Sequence, residues 1–314
     1  MDSGIIIQVV LLIVGFVFLI KGSDIFVDGS SSIASLLKVP TIIVGLTIVA
    51  FGTSAPEAAV SIISSINGNN AMAVSNIIGS NIFNILIIIG VGTLLGDLLM
   101  EKNVLNRDLP ILIGVTLLLT AFIIIGWNIS TIEGIILLAI IVVYVFSLIH
   151  SSKKDSHAHD VDKPKLSTKK SISFIIIGLV GIILGGDLVV KSASTIAISF
   201  GMSETLVGLT IVAIGTSLPE LVTSLTALKK GENQLVIGNV IGSNIFNMLF
   251  VLGASSAISE IPLDSSLLVD VMFMIFITLL CFIFGKTQEK YDKKEGIIFI
   301  ALFIAYMAFA ILRN

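Results

Sequence analysis

The sequence predicts an all-α polytopic membrane protein of ten transmembrane helices in a 5+5 inverted-topology repeat, with broken second and seventh helices. Three observations predict it. Of 314 residues, 55% are hydrophobic and only 12% charged, with a mean hydropathy of +1.10, far from the composition of soluble globular chains. Apolar runs long enough to cross a bilayer recur along the whole length. Finally, VGLTIVAFGTSAPE at residues 44–57 returns as VGLTIVAIGTSLPE at 207–220, identical at all but two positions and displaced by a constant offset of 163. The net charge of −3 offers nothing to nucleic acid, so the partner the composition implies is the lipid bilayer. A single cysteine, Cys281, excludes an intramolecular disulfide.

In chain order the spans are expected at residues 4–34, 40–66, 71–96, 108–126, 130–149, 171–199, 205–228, 233–258, 265–285 and 294–312. The first lacks a basic leading segment and a small-residue cleavage site, and reads as a retained helix. The first and sixth exceed the ~20 residues that a bilayer requires, which implies tilt or an extension into the interface. Lys21, Asp24 and Asp28 in the first, and Asp187 and Lys191 in the sixth, are expected to snorkel and to pair along their own helix. Between the fifth and sixth spans lies a basic linker, 151–170, with six lysines together with Asp155, His157, His159, Asp160 and Asp162. It reads as a solvated loop rather than as a metal site. The chain thus divides into a five-helix repeat over 1–150, the linker, and a second repeat over 171–314.

Charge fixes the orientation. The loops after spans one, three, five, seven and nine hold 15 of the 18 basic residues, and the loops after the even-numbered spans hold none. Under the positive-inside rule the odd loops and the linker are cytoplasmic, and both termini lie outside a cell membrane. The self-similarity also extends further, pairing Asp24 with Asp187 and NIIGSNIFN at 76–84 with NVIGSNIFN at 239–247. Five crossings per repeat make the second copy enter from the opposite side. Equivalent residues should then converge near the midplane, where such folds place their substrate.

The chemistry sits in those repeats. Pro56 has no N–H, so the carbonyl of Gly52 loses its usual helical partner, and the ring crowds that turn. Thr53 and Ser54 precede Glu57 by four and three residues, so all three share a helical face. Gly215, Thr216, Ser217, Pro219 and Glu220 repeat the arrangement. Asn76, Ser80 and Asn84 form an i, i+4, i+8 polar stripe on the third span, as do Asn239, Ser243 and Asn247 on the eighth. Asn81 and Asn244 point about 100° away and read as bonds between helices. A kinked helix with interhelical hydroxyl bonds would account for the Ser, Thr and Asn residues. It does not account for two acids, because an ionised side chain at midplane costs roughly 2.5–3.5 kcal/mol on insertion scales. No midspan Lys or Arg is placed to neutralise both. The spans contain no His ligand, and two carboxylates among hard oxygens suit Ca²⁺ or several Na⁺ rather than zinc, copper or iron.

At these residues the sequence resembles the calcium/cation antiporter superfamily, and within it the sodium/calcium exchangers of prokaryotic and archaeal type. GTSAPE and GTSLPE, each followed by GSNIFN, are similar to that family's two α-repeats. The resemblance implies alternating access, with the first and sixth helices sliding across a core of the second, third, seventh and eighth. It implies that Glu57 and Glu220 are shared Ca²⁺ and Na⁺ ligands, flanked by Thr53, Ser54, Thr216, Ser217, Ser80, Ser243 and the carbonyls of Ala50 and Ala213. Asn84 and Asn247 would lie at the central position. Where this chain has Asn247, some archaeal members and the potassium-dependent branch carry an aspartate, which argues against K⁺ co-transport here. The expected function is Na⁺/Ca²⁺ antiport, with a Ca²⁺/H⁺ exchanger as the alternative. No catalysis and no cofactor are expected, since the ions bind as substrates, and a monomer is the expected functional unit. An intramembrane hydrolase is disfavoured because the chain has no GxGD, HExxH or GxSxG pattern. A passive channel would need a continuous pore instead of one central site.

Overall fold

The computed structural model describes residues 3–155, 164–202, 207–262 and 265–313. Among these, eight helices are long and apolar enough to cross a membrane: Gly4–Leu37, Met72–Leu95, Val104–Gly126, Thr131–Ser151, Thr168–Ser199, Asn233–Ile258, Leu267–Gln288 and Lys293–Arg313. Two helix pairs meet the same test jointly. Thr41–Thr53 and Ala55–Ile66 are bent by 48°, and Thr210–Thr216 and Leu218–Lys229 by 47°. Counting each bent pair as one span gives ten, in the predicted order. The helices flanking the linker are longer than expected, since one runs to Asp155 and the next begins at Thr168. The HAHD stretch, 157–160, lies outside the described residues.

Proline explains the bends, although not by leaving a bare carbonyl. Ser54 and Ser217 interrupt the helices at φ,ψ of −82°, 6° and −91°, 4°, and Pro56 and Pro219 then fall in the first turn of a new helix. There a missing N–H costs nothing. The carbonyls of Gly52 and Gly215 are therefore not left open, contrary to the sequence expectation, but accept backbone N–H groups of the capping turn. Ending one helix and starting another lets the chain close the turn that a proline inside a continuous helix would have broken. One turn earlier, each bent span contains a single π-helical turn, Gly45–Val49 and Gly208–Val212.

The third and eighth spans form the centre. Their apolar windows are 78% and 94% buried, against 11–39% for the other six long helices. Around them the first and sixth spans lie antiparallel and in backbone contact. A Cβ at Gly15, Gly22 or Gly29 would come within 3.0 Å of the carbonyl oxygen of Gly185, Gly178 or Ser171 respectively. In lipid, where apolar burial gives helices no reason to associate, such small-residue seams let dispersion contacts hold them together.

The charges on these two helices behave differently. Asp187 pairs with Lys191 within its helix at 2.9 Å, as the spacing predicts. Asp24 and Asp28 do not pair along their own helix but both meet Lys230, beyond the seventh span, at 2.8 Å each. They stand one turn apart on one face, and Lys230 lies opposite that face, which a basic residue on the same helix does not.

Loops on a common side are tied together. Leu98–Leu99 pairs antiparallel with Lys290–Tyr291, joining the loops after spans three and nine, with Lys290 2.6 Å from Asp97. That carboxylate raises the Lys290 pKa above its ordinary value. Asn128–Ile129 pairs with Ile261–Pro262, joining the loops after spans four and eight. Odd loops meet odd and even meet even, as alternate crossings require.

Equivalences also appear where the sequence showed none. Tyr144 donates to Asp108 and Tyr306 to Asp270, each at 3.1 Å, and arginine engages both acids, Arg107 with Asp108 and Arg313 with Asp270. The fifth and tenth spans both open on a capping glutamate, Glu133 taking the N–H of Ser130 and Glu295 that of Asp292. The tyrosine–aspartate pairs and the capping glutamates run one position short of the offset that relates the central motifs, whereas Arg107 and Arg313 are not at equivalent positions.

The eighth span packs on the second through Gly45, Gly238 and Gly242. A Cβ at Gly242 would lie 2.7 Å from the Leu46 Cα and 2.8 Å from the Ala50 Cβ. Its equivalent, Gly79, has nothing within 4 Å among the described residues. Gly242→Ala is therefore expected to destabilise the protein by about 1–3 kcal/mol through overpacking. Gly79→Ala should stay within about 0.5 kcal/mol of the parent. Thermal unfolding in detergent compares the two.

Candidate functional site

The two bends meet at the centre, and each interrupting serine serves the other repeat. Ser54 donates to Glu220 Oε1 at 2.8 Å, and Ser217 donates to Glu57 Oε1 at 3.0 Å. Both carboxylates are fully buried. Ser80 lies 3.0 Å from the Ser217 hydroxyl and 3.5 Å from Glu57 Oε1, so the bends and the third span share one polar cluster. Each glutamate falls in the first turn of the helix that begins after its break. The N–H groups and dipole of that turn favour a negative charge.

Ser243, the equivalent of Ser80, belongs to a second group. It lies 3.5 Å from the Ala50 carbonyl and 3.4 Å from Asn239 Oδ1. Thr53 joins the same group, reaching Asn239 Oδ1 at 3.0 Å and the Val49 carbonyl at 3.1 Å. Thr216 is drawn instead to Asn76 Oδ1, at a longer 3.4 Å. The Ala50 carbonyl accepts the Ser54 N–H at 3.1 Å, and the Ser217 N–H reaches the Ile214 carbonyl at 3.2 Å.

Asn84 and Asn247 are fully buried, and each opens a π-helical turn, Asn84–Ile88 and Asn247–Val251. Such turns recur at functional positions because they displace one side chain out of helical register. The repetitive Ile-rich sequence around both gave no sign of them. Asn81 and Asn244 bond between helices, as their offset from the stripes predicts, each donating to the other's backbone carbonyl at 3.4 and 3.3 Å.

Asn76 and Asn239 were legible only as members of a stripe. The structure gives them a task, clamping each hairpin. Asn76 Nδ2 reaches the Glu57 carbonyl at 3.5 Å and Ser61 at 3.1 Å, and Asn239 Nδ2 reaches the Glu220 carbonyl at 3.4 Å and Ser224 at 3.0 Å. Their recurrence at the head of both stripes, at the same spacing from each glutamate, is the signal that marks them.

Four acceptor oxygens around the bends are buried without a hydrogen-bond partner: Glu57 Oε2, Glu220 Oε2, Asn84 Oδ1 and Asn247 Oδ1. They come as two pairs related by the repeat. Among the described residues no Lys or Arg bridges either glutamate, and no group of three or more His, Cys, Asp and Glu side chains is assembled. Buried acceptors left unpaired carry a desolvation penalty, largest for a charge. The chemical complement of four unpaired acceptors is a cation with a preference for oxygen.

A family described as sodium/calcium exchanger protein matches residues 7–150 and 170–312. The putative antiporter CaxA of Alkalimonas amylolytica is 38% identical over 316 residues, spanning 96% of this chain and 98% of its own. The sodium/calcium exchanger MaX1 of Methanosarcina acetivorans is 31% identical over 348 residues, spanning 96% and 98%. A solved structure of the sodium-calcium exchanger NCX_Mj, soaked with 2.5 mM Na⁺ and 0.1 mM Ca²⁺, gives a TM-score of 0.86 at 31% identity. It covers 96% of this chain and 98% of that one.

The hairpin clamps differ in burial, Asn239 being fully enclosed and Asn76 partly exposed. Asn239→Ala, which strands buried partners, is expected to cost about 1–3 kcal/mol, and Asn76→Ala nearer about 1 kcal/mol. Comparison of unfolding midpoints in one detergent reads the difference.

Proposed function

The chain belongs to the sodium/calcium exchanger family, and from that premise we propose that it is a secondary active antiporter exchanging Ca²⁺ for Na⁺ across the cell membrane by alternating access. The observation that carries this reading is the set of four buried, unpartnered oxygens contributed in equivalent pairs by the two repeats. Glu57 and Glu220 are the acids shared by Ca²⁺ and Na⁺. Thr53, Ser54, Thr216, Ser217, Ser80, Ser243 and the carbonyls of Ala50 and Ala213 supply flanking Na⁺ positions, and Asn84 and Asn247 the central one. Two carboxylates neutralise one Ca²⁺, and the same oxygens accommodate Na⁺ in its place. The loaded site offsets the buried acids, while the empty one leaves them uncompensated and slow to reorient. That difference makes transport an exchange.

The architecture we infer is a five-plus-five inverted repeat, with the bent pairs as broken second and seventh helices. The repeats are 1–150 and 171–314, the linker is cytoplasmic and both termini are outside. The odd–odd and even–even loop pairings support the alternation of crossings, and the basic odd loops support the sidedness. In this arrangement the half of the eighth span nearer the cytoplasm, with Gly238, Asn239 and Gly242, is buried against the second. On the third span the corresponding outer half exposes Ser75 and leaves Asn76 and Gly79 half-buried. We read the conformation as closed toward the cytoplasm. A monomer contains both halves of the site and suffices for transport.

Everted vesicles test the proposal. Calcium uptake should require an outward-directed Na⁺ gradient, and Glu57→Gln or Glu220→Gln should lower it at least a hundredfold in folded protein. Uptake that follows a pH gradient and ignores Na⁺ would transfer the assignment to Ca²⁺/H⁺ exchange. Near-normal transport in either variant would remove the glutamates from the site.

A further inference from the structure

Four asparagines form a closed set of bonds across the two repeats, and only two of them belong to the proposed site. Asn84 Nδ2 donates to Asn244 Oδ1 at 3.2 Å, and Asn247 Nδ2 donates to Asn81 Oδ1 at 3.3 Å. Asn81 and Asn244 have their own Nδ2 groups engaged, each on the backbone carbonyl of the other. All four residues are buried, at 0–1% exposure.

A carboxamide has one acceptor end and one donor end, and nothing in its shape favours either orientation. A cation tolerates only the oxygen. We propose that Asn81 and Asn244 are positioning residues that hold the Asn247 and Asn84 amides with their oxygens toward the ion. The inference rests on the reading of Asn84 and Asn247 as central ligands and goes beyond it. Each positioning residue offers an oxygen that only an NH₂ can satisfy, so the site amide turns its nitrogen outward and its Oδ1 is left free. The free Oδ1 atoms of Asn84 and Asn247 are the two amide oxygens among the four unpartnered oxygens around the bends. The control is crossed, since Asn81 of the first repeat orients a residue of the second and Asn244 does the reverse. Neither half can present its central oxygen unless the other half is packed against it.

An acid at the oriented position needs no such help, because both of its ends are oxygens, and this gives a test that a merely structural role fails. Asn81→Ala should raise the KM for Ca²⁺ about tenfold, the scale on which removing a partner of a metal ligand acts, with a smaller change in kcat. In an Asn247→Asp background the same Asn81→Ala change should leave KM within about twofold of that background. Asn244→Ala, which acts on Asn84, should raise KM about tenfold in both backgrounds. Thermal unfolding and Ca²⁺ uptake are measured together for all variants. An equal loss from Asn81→Ala in both backgrounds, or rescue of Asn244→Ala by Asn247→Asp, would overturn the positioning role and leave the antiport reading intact. An absence of Ca²⁺ transport in the parent chain would instead overturn both.

Discussion

Two buried carboxylates, bridged by no Lys or Arg among the described residues, set the terms for everything around them. In water each would be solvated, and in hydrocarbon each must find hydrogen-bond donors, a cation or a proton. The chain supplies donors in the most economical way that a helical bundle allows, by interrupting a helix so that its first N–H groups and a serine face the acid. Ser54 and Ser217 are exchanged between repeats, which makes the two bends a single unit. Neither glutamate has the serine of the opposite bend as its donor unless both halves are assembled. One oxygen on each acid is still left over, and that remainder is what an ion would use.

The surrounding fold is organised to keep those bends rigid and buried. The third and eighth spans fill the centre, and Asn76 and Asn239 fasten each to the helix that carries the glutamate. Glycines bring backbones into contact where a side chain would hold them apart, between the second and eighth spans and along the first and sixth. Outside that core, the Tyr144–Asp108 and Tyr306–Asp270 bonds close the remaining helices around it. Helix association in lipid relies on such close packing and on interhelical polar bonds, because apolar burial contributes little there.

How much of this the sequence disclosed follows from how the information is stored. The candidate site was legible because GTS-x-PE and GSNIFN are identical or nearly so in both copies, and buried acids in apolar runs call for an explanation. The equivalence of the outer helices was hidden by a slip of a single position, visible only once Asp108 and Tyr144 are set beside Asp270 and Tyr306. The interhelical partner of Asp24 and Asp28 lies in the other half of the chain, beyond any periodicity argument, so pairing along the helix was the natural and mistaken expectation. The π-helical turns leave no compositional mark at all. The Gly52 carbonyl keeps a partner because Pro56 begins a second helix, a restart that the apolar sequence around it does not mark.

The grip of Lys230 on Asp24 and Asp28 has a consequence for a molecule assembled from two near-copies. Asn67 answers to Lys230 at the repeat offset, so the opposite face lacks the corresponding cation. In the proposed alternating-access cycle, identical halves would make the two end states equivalent by the two-fold axis and equally populated. Every contact made on one face only adds to the gap between them. With acids this exposed, an ion pair contributes about 0–1 kcal/mol, which corresponds to a population ratio of up to about five. A chain with its motif repeated in sequence at the centre is thus unequal at the rim, and a carrier with unequal faces has a resting side.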